Sequence, residues 1–319
     1  MQCPRLDHFV RLNPNGTVSR CGHMVNPPQF KSLSEMESSE WLYNIKQKLW
    51  PAECIRCKET ESLNEDSIRI HTVRFHQKQE IKNYLIVGGV LDNICNSGCF
   101  TCDEKHSTKI GSLLSKNYTI LDNSNNFWRL PVDRIVKLDI SGGEPSVSKN
   151  YLNLLQNLPK NIKEVRINTN CSTIIDEIPT LIQKGVKVVV TVSLDGIEKV
   201  HEYVRWPIKW DKFFNNLMLY KNMPGVELNT WTTVSALNIH NFTAIKKFTN
   251  EFNLAHSYAF LHYPDQLNVK YKNNLTLPFR ALFSNVAIDR DNQIELDNFI
   301  KTQNKLRNIG NNEDSNNRT

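Results

Sequence analysis

Three cysteines lie close together in LDNICNSGCFTC, residues 91–102, with the spacing C-x3-C-x2-C. An extended chain spans about 3.3–3.6 Å per residue, so Cys95, Cys99 and Cys102 can reach three corners of one iron–sulfur cubane. Three thiolates leave one iron of a [4Fe–4S] cluster without a protein ligand, and a substrate or cofactor can bind there. The competing interpretation is zinc, which normally takes four ligands in a structural site, with His106 as the fourth.

Two further motifs follow strand-like runs. SGGEP (141–145) contains two glycines, which let a ligand approach the backbone closely, although a plain tight turn explains them equally well. SLDG (193–196) and HEYVR (201–205) together supply a hydroxyl, a carboxylate and a guanidinium. Such groups can bind a ribose and a carboxylate. The alternative is a helix cap and a surface arginine.

Four more cysteines, Cys3, Cys21, Cys54 and Cys57, lie in the first 60 residues. Four cysteines can close a [4Fe–4S] cluster or a zinc site, and unliganded thiols are the third possibility. The chain has no apolar run long enough to span a bilayer, and its first residues lack the apolar core of a signal peptide. We therefore expect a cytoplasmic, reducing location, where cysteines are more often metal ligands or catalytic thiols than disulfides.

The eighth cysteine, Cys171, belongs to neither set. It follows a strand-like run near the predicted functional edge. The ordinary interpretation is a small, partly buried residue. The alternative is a thiol that donates a hydrogen atom to a substrate radical, which would suit an epimerase.

The elements that must position these residues form a repeating pattern. Apolar strand-like runs alternate with amphipathic segments, and the runs occupy 84–91, 134–141, 164–169, 186–194, 226–234 and 256–262. The run VKVVVTVSL (186–194) is almost continuously apolar, as expected for a parallel strand buried on both faces. Six such units predict an α/β fold, a partial, open (β/α)6 barrel whose chemistry lies at the carboxyl ends of the strands.

The rest of the chain is less regular. We expect helices at 150–158, 173–184, 211–222 and 241–252, a helix at 34–49 capped by Ser34, and a last helix within 274–308. Strands at Phe9–Leu12 and Thr17–Ser19 flank a hairpin turn, and the first crossover helix, within 103–130, should be short or irregular. The predicted division is a cysteine-rich module (1–60), a linker (61–83), the barrel (84–308) and a disordered tail (309–319).

The charge of the chain restricts its partners. The 319 residues carry a formal net charge of +6, which is mildly basic. Lys and Arg are scattered, and no basic stripe with interleaved aromatic residues is present. Nucleic acid is therefore a less favoured partner, and no membrane partner is expected.

Taken together, CxxxCxxC, GGEP and SLDGxxxxHExxR resemble the radical S-adenosylmethionine (SAM) enzymes, in the same order over roughly residues 84–265. The resemblance implies that Cys95, Cys99 and Cys102 hold a [4Fe–4S] cluster whose fourth iron is chelated by SAM. It also implies reductive cleavage of SAM to a 5′-deoxyadenosyl radical, which takes hydrogen from the substrate, with a flavodoxin- or ferredoxin-type reductant.

The resemblance also assigns SAM contacts to residues near the strand ends. These are the backbone of Gly142, Gly143 and Glu144 and the side chains of Asn168, Ser193, Asp195 and Arg205. Two departures are visible. Thr101 stands where the family often has an aromatic or bulky residue, and TNC (169–171) replaces the frequent TNG.

The four N-terminal cysteines resemble the twitch or SPASM auxiliary-cluster modules of this family, in the form of a group of bacterial and phage-encoded proteins. Such modules usually follow the barrel, whereas this one precedes it. The resemblance implies a second [4Fe–4S] cluster for electron transfer or structure, in the host cytoplasm if the protein is phage-encoded. The expected substrate is a peptide or protein side chain. The alternatives are nucleotide or tRNA-base modification, small-molecule dehydrogenation or epimerisation, and a non-enzymatic, zinc-stapled binding protein.

Overall fold

The computed structural model describes residues 3–62, 64, 66–80, 82–114, 118–269 and 290–309. Within them, eight strands form one open sheet in the order β2-β1-β3-β4-β5-β6-β7-β8. The strands are Phe9–Leu12 (β1), Val18–Ser19 (β2), Leu85–Val90 (β3), Ile135–Ser141 (β4), Glu164–Thr169 (β5), Lys187–Ser193 (β6), Val226–Val234 (β7) and Ala255–Phe260 (β8). Only the pairing of β1 with β2 is antiparallel.

The described helices are short, and most of them lie between strands. They are Arg5–His8 (α1), Leu33–Glu37 (α2), Glu40–Lys46 (α3), Ile55–Ser62 (α4), Ile68–Gln77 (α5), Thr108–Leu113 (α6), Ser124–Trp128 (α7), Lys149–Gln156 (α8), Ile178–Gln183 (α9), Lys199–Val204 (α10), Trp210–Asn222 (α11), Phe242–Glu251 (α12) and Arg290–Leu306 (α13). Four 3-10 turns occupy Ala52–Cys54, Val132–Arg134, Ile239–Asn241 and Asp265–Leu267. No described helix is long and apolar enough to cross a membrane.

The fold class predicted from the sequence is confirmed. Strands β3 to β8 are parallel neighbours, and the sheet stays open rather than closing into a barrel. All six predicted runs become strands whose bounds lie within two residues of the predicted ones. The β-branched run 186–194 forms β6, whose residues Val188 to Val192 are all buried.

The two faces of the sheet differ in polarity. On β4, β5 and β7 the residues facing the helices are buried, for example Leu138, Ile167 and Val234. The alternate residues are half-buried or exposed, and many are polar: Lys137, Asp139, Ser141, Glu164, Arg166, Asn168, Glu227, Asn229 and Trp231. Successive strand residues point to opposite faces, so the sheet has an apolar helix-packed face and a polar, partly accessible inner face.

The N-terminal hairpin extends this sheet. The turn between β1 and β2 contains Gly16 at φ +81°, a conformation that glycine adopts readily. Strand β1 pairs in parallel with β3, from Phe9 opposite Ile86 to Leu12 opposite Gly89. The cysteine-rich segment and the barrel therefore share one sheet, while their division into domains remains a prediction.

Two helix predictions were wrong in detail. The segment 34–49 forms α2 and α3, because Ser39 adopts an extended conformation and its hydroxyl caps α3 by accepting from the backbone N–H of Leu42 at 3.2 Å. Ser32 rather than Ser34 caps α2. The helix expected at 173–184 begins only at Ile178, because Pro179 lacks an N–H and favours the first turn of a helix.

The segments that were hardest to predict are partly described. The crossover at 103–130 contains the short helices α6 and α7, as expected. The predicted linker contains α5, whose Ser67 hydroxyl accepts from the backbone N–H groups of Arg69 and Ile70. Helix α13 accounts for the described part of 274–308, and the tail lies outside the described residues apart from Ile309.

Candidate functional site

The three-cysteine loop begins where β3 ends, and two buried polar residues anchor it. The Asp92 carboxylate accepts from the Ile94 backbone N–H at 3.0 Å and from the Ser148 hydroxyl. The Asn93 amide donates to the carbonyl of Thr119 and accepts from the Leu121 N–H, both at 2.9 Å. Sequence reasoning missed both residues, although short polar side chains directly after an apolar strand were a usable signal.

Cys95, Cys99 and Cys102 lie close enough together that their charges interact. Burial raises the pKa of the Cys95 thiol to about 12, and the neighbouring Cys99 adds to the effect. Burial, with Cys99 and Cys95, raises the pKa of Cys102 as well. Three thiolates here are therefore costly unless a cation binds them. A coordinating metal deprotonates thiols outright, so this donor set fits a cationic iron–sulfur core.

Arg205 joins the third motif to this loop. Its Nη1 donates to Cys99 Sγ at 3.3 Å, and its Nε lies 2.9 Å from Oδ2 of Asp195. Although burial disfavours the charged guanidinium, Asp195 and Cys99 raise the pKa of Arg205. Oδ1 of Asp195 accepts from the Thr233 backbone N–H at 2.8 Å. The Asp195 carboxylate therefore holds Arg205 beside the Cys99 thiol, and both of its oxygens have partners within the protein.

The two glycines of the second motif make room for the cysteine loop itself. A Cβ at Gly142 would lie 2.6 Å from the carbonyl oxygen of Asp92, and one at Gly143 would lie 2.3 Å from that of Ile94. Both glycines have positive φ, +94° and +48°. The backbone that approaches them in this structure is residues 92–94, and a ligand contact with them remains a prediction.

Glu144 is fully buried and links this motif to the end of β5. Its carboxylate accepts from the backbone N–H of Asn170 at 2.6 Å and from the Thr169 hydroxyl at 2.7 Å. The Asn170 amide in turn donates to Asn96 and Ser97 of the cysteine loop, both at 2.9 Å. The Glu144 side chain therefore supports the loop. Its backbone N–H also donates to the Ile94 carbonyl at 2.7 Å, and the ligand contact of its backbone remains a prediction.

Asn168 and Ser193 lie on the inner face of the sheet. Asn168 pairs with Thr191 across β5 and β6, and Ser193 pairs with Trp231 across β6 and β7. Both are half-buried. They are therefore accessible to a ligand on the polar face, unlike Asp195 and Glu144.

Cys171 is fully buried in the main apolar core. Its Sγ donates to the Phe213 carbonyl of α11 at 3.8 Å, and its own carbonyl accepts from Asn216 at 2.9 Å. Burial raises the pKa of this thiol well above its ordinary value. This environment favours the structural alternative that the sequence left open.

The four N-terminal cysteines line one pocket, which has about 500 Å³ of empty space, part of it open to solvent. Cys3 precedes α1, Cys21 follows β2, Cys54 ends a 3-10 turn and Cys57 lies in α4. Burial raises the pKa of Cys3 to about 11 and that of Cys54 to about 12, with the neighbouring thiols contributing to both. Four thiols are the donor set of a closed [4Fe–4S] cluster and also of a structural zinc site.

Two arginine side chains line this pocket. The Nε of Arg5, which is buried, donates to Cys21 Sγ at 3.2 Å, and Arg69 is a further lining residue. A tetrathiolate site carries net negative charge, which these guanidiniums would offset. The described residues contain no group of three or more His, Cys, Asp or Glu side chains arranged to hold a single metal ion, and all the metal assignments remain predictions.

The sequence did not predict one contact of the three-cysteine loop, which is made by an arginine near the end of the chain. Arg307, on the last turn after α13, donates through Nη2 to the carbonyl of Cys99, 208 positions earlier in the chain. Burial lowers the pKa of Arg307 to about 10, so its guanidinium stays charged at neutral pH. No local pattern could have indicated a contact over this separation.

Comparison with known proteins adds similarity of structure. No family model and no curated protein matches the chain. Among solved structures, native anSMEcpe with bound AdoMet is similar at 17% identity and a TM-score of 0.44, covering 70% of this chain and 62% of that chain. SuiB of Streptococcus suis bound to precursor peptide SuiA is similar at 15% identity and a TM-score of 0.44, covering 97% and 71%. This chain therefore spans less than two thirds of the length of anSMEcpe.

Proposed function

We propose that this protein is a radical SAM enzyme whose reaction centre lies at the three-cysteine loop. The observation that carries the proposal is that three motifs, far apart in sequence, meet through direct contacts. Arg205 touches Cys99 Sγ while paired with Asp195, and Asn170 bridges Glu144 to Ser97. Motifs that matched a plain turn, a helix cap or a surface arginine would have no reason to converge on the three-cysteine loop.

In this proposal Cys95, Cys99 and Cys102 hold three corners of a [4Fe–4S] cluster. When bound, the reduced cluster and SAM together supply a 5′-deoxyadenosyl radical, which abstracts hydrogen from the substrate. The protein binds and orients the cofactor and excludes water. Its largely buried Arg205 offers positive charge beside Cys99, which suits both the thiolates and the carboxylate of a bound amino acid.

The remaining predicted SAM contacts separate into two groups. Asn168 and Ser193 are half-buried on the inner face, so we propose direct contacts to SAM from both. Both carboxylate oxygens of Asp195 are engaged, as is the carboxylate of Glu144, so we propose that these two act by positioning Arg205 and Asn170. The backbone of Gly142, Gly143 and Glu144 is proposed to receive the amino group of SAM.

We propose a peptide or protein side chain as the substrate. The inner face of the sheet is polar, and the edge strand β8 is largely exposed, including Ser257, which pairs with the inner-face residue Trp231 of β7. An extended substrate can reach the inner face along this open edge. Nucleotide modification and small-molecule dehydrogenation or epimerisation are the alternatives, and all of these need a flavodoxin- or ferredoxin-type reductant.

For the N-terminal pocket we propose an auxiliary [4Fe–4S] cluster. Because four cysteines leave no iron open, electron transfer or structural support is favoured over substrate binding. Zinc is the competing occupant, and it would make the module a structural staple.

The experiment is anaerobic loading of the full-length chain followed by iron and zinc analysis. We expect about eight irons per chain, four for each cluster. Cys99→Ala should remove about four of them and abolish any spectral response to SAM. Cys54→Ala should remove the other four and leave that response intact. Stoichiometric zinc with no iron in either set would refute the proposal.

A further inference from the structure

The end of the last described helix contacts the three-cysteine loop through one side chain. Arg307 is only 3% exposed. Its Nε donates to the carbonyl of Gly98 at 2.7 Å, and its Nη2 donates to that of Cys99 at 3.3 Å. Its Nη1 donates to Gln303 within the same helix. The guanidinium is therefore fixed to the helix on one side and to the loop on the other.

The same guanidinium stacks on the loop. Its Cζ lies 4.2 Å from the centroid of the Phe100 ring, and the Phe100 ring also packs against Tyr203 at 4.6 Å between centroids. A cation over an aromatic face is attracted by the ring quadrupole, most strongly when both are removed from water. Phe100 is 1% exposed, so this contact is a buried one.

The opposite edge of the loop is held by backbone groups. The N–H of Gly98 donates to the carbonyl of Trp206 at 2.8 Å, and that of Phe100 donates to the carbonyl of Val204 at 3.0 Å. The segment 98–100 is thus held on two sides. The N–H groups of Gly98 and Phe100 donate to residues 206 and 204, and the carbonyls of Gly98 and Cys99 accept from Arg307. Removing Arg307 would leave two buried carbonyls without these donors.

Arg307 and Arg205 differ in whether a carboxylate pairs with the guanidinium. Arg205 is paired with Asp195 at 2.9 Å, whereas Arg307 forms no ion pair within the described part of the chain. A buried guanidinium is costly unless an anion lies nearby. Arg307 donates to the carbonyl of Cys99. A cluster held by the Cys99 thiolate would therefore bring negative charge close to this guanidinium.

We propose that Arg307 is a positioning residue that locks segment 98–100 and stabilises the more negative, reduced state of a cluster held by the loop. The proposal rests on the proposed function. The electron comes from the external reductant, and Arg307 transfers neither an electron nor a proton. Through Arg307, helix α13 would limit the motion of the cysteine loop and raise the reduction potential of the cluster that the loop holds.

The first test measures hydrogen exchange of the Gly98 and Phe100 amides in the full-length chain, as isolated and after loading. Arg307→Gln should accelerate exchange by about ten- to hundredfold, the factor for loss of a hydrogen bond to a charged group. The matched control is Lys305→Gln, which removes the same charge from an exposed position two residues away. Exchange in the control should match that of the wild type.

The second test measures the midpoint potential of the cluster whose electron paramagnetic resonance signal changes when SAM is added. Arg307→Gln should lower this potential relative to both wild type and Lys305→Gln. Arg307→Lys keeps the charge but not the fork that spans two carbonyls. It should therefore accelerate exchange while keeping most of the potential, and it serves as the second variant if Arg307→Gln does not fold.

The two proposals fail in different ways. If the loop binds no iron, the proposed function fails, and exchange in the metal-free chain still reports on the contacts of segment 98–100. If iron binds and SAM alters its signal, but the Arg307 variants match the wild type in both exchange and potential, the Arg307 proposal is overturned. A potential that falls equally in Lys305→Gln would also overturn it, because the effect would then be one of net charge.

Discussion

Cys99 and Arg205 are 106 positions apart in the chain, yet Nη1 of Arg205 donates to Cys99 Sγ at 3.3 Å. Strand β6 and helix α10 deliver the arginine, and the loop after β3 delivers the thiol. The same guanidinium is paired with the buried Asp195. The two motifs that contain Cys99 and Arg205 therefore meet at one site, where the Asp195 carboxylate orients the guanidinium toward the Cys99 thiol.

Removal of Asp195 should destabilise the protein. Asp195→Asn removes the carboxylate partner of Arg205, whose side chain is 15% exposed, and breaking such a largely buried pair lowers the free energy of unfolding by up to about 3–5 kcal/mol. Chemical denaturation of the anaerobic protein measures the loss. The control is Glu227→Gln, which breaks the exposed pair between Lys187 and Glu227 and should cost about 0–1 kcal/mol. Equal losses of unfolding free energy in the two variants would contradict a larger contribution from the Asp195–Arg205 pair.

Gly143 should be intolerant of any side chain. Its φ of +48° costs an L-residue about 1–2 kcal/mol, and its Cβ would lie 2.3 Å from the Ile94 carbonyl oxygen. Gly143→Ala should therefore lower stability by more than this strain and reduce iron bound by the cysteine loop. The control Gly185→Ala separates backbone strain from steric clash. Gly185 also has a positive φ, +79°, but a Cβ added there would have nothing within 4 Å. If both variants lose the same stability and keep their iron, the close contact between Gly143 and the Ile94 carbonyl does not limit the side chain at position 143.

His201 should make stability fall in mild acid. It is fully buried, its ring lies 4.0 Å from that of Phe213, and neither ring nitrogen has a hydrogen-bond partner in the described structure. Burial and the nearby Arg205 lower its pKa well below the ordinary 6.5. The unfolded chain then binds more protons below about pH 6.5, so stability is complete above this pH and falls below it by up to about 1.4 kcal/mol per pH unit.

His201→Phe keeps an aromatic ring and removes the titration. The slope of unfolding free energy against pH should become smaller between pH 6.5 and 5. Replacement of the exposed His71 by Phe serves as the control and should leave the slope almost unchanged. An identical slope in wild type and His201→Phe would contradict the predicted role of burial.

Cys171 should prove structural. Cys171→Ala removes one buried atom and should cost about 1 kcal/mol, the usual size for a group as small as a methyl. Iron content and SAM cleavage should stay as in the wild type. Deuterium incorporation into product from solvent should be unchanged, and a loss of label in this variant would instead establish Cys171 as the hydrogen donor.

The sequence predicted the strands well because their signal is local. Residues 164–169 alternate polar and apolar side chains, and residues 186–194 are almost continuously apolar. The strands β5 and β6 match these two runs within one residue. The helices were harder, since single residues such as Ser39 and Pro179 decide where a short helix begins. Residue type and spacing also singled out the cysteine sets and the residues around Arg205.

The role of each site residue was less predictable. The Asp195 side chain was expected to contact SAM, and the structure adds that both of its oxygens have partners within the protein, while the SAM contact stays a prediction. Arg307 gave no local signal, because its partners lie more than 200 positions away. These contacts depend on how the loop after β3 packs against distant segments, and spacing in the sequence does not encode that packing.

The most direct measurement is the release of 5′-deoxyadenosine and methionine from SAM by the anaerobically loaded protein with dithionite. Our account predicts release by the wild type and by Cys171→Ala, and none by Cys99→Ala. Stoichiometric zinc with no release of 5′-deoxyadenosine from the wild type would contradict it and would instead support a zinc-stapled binding protein.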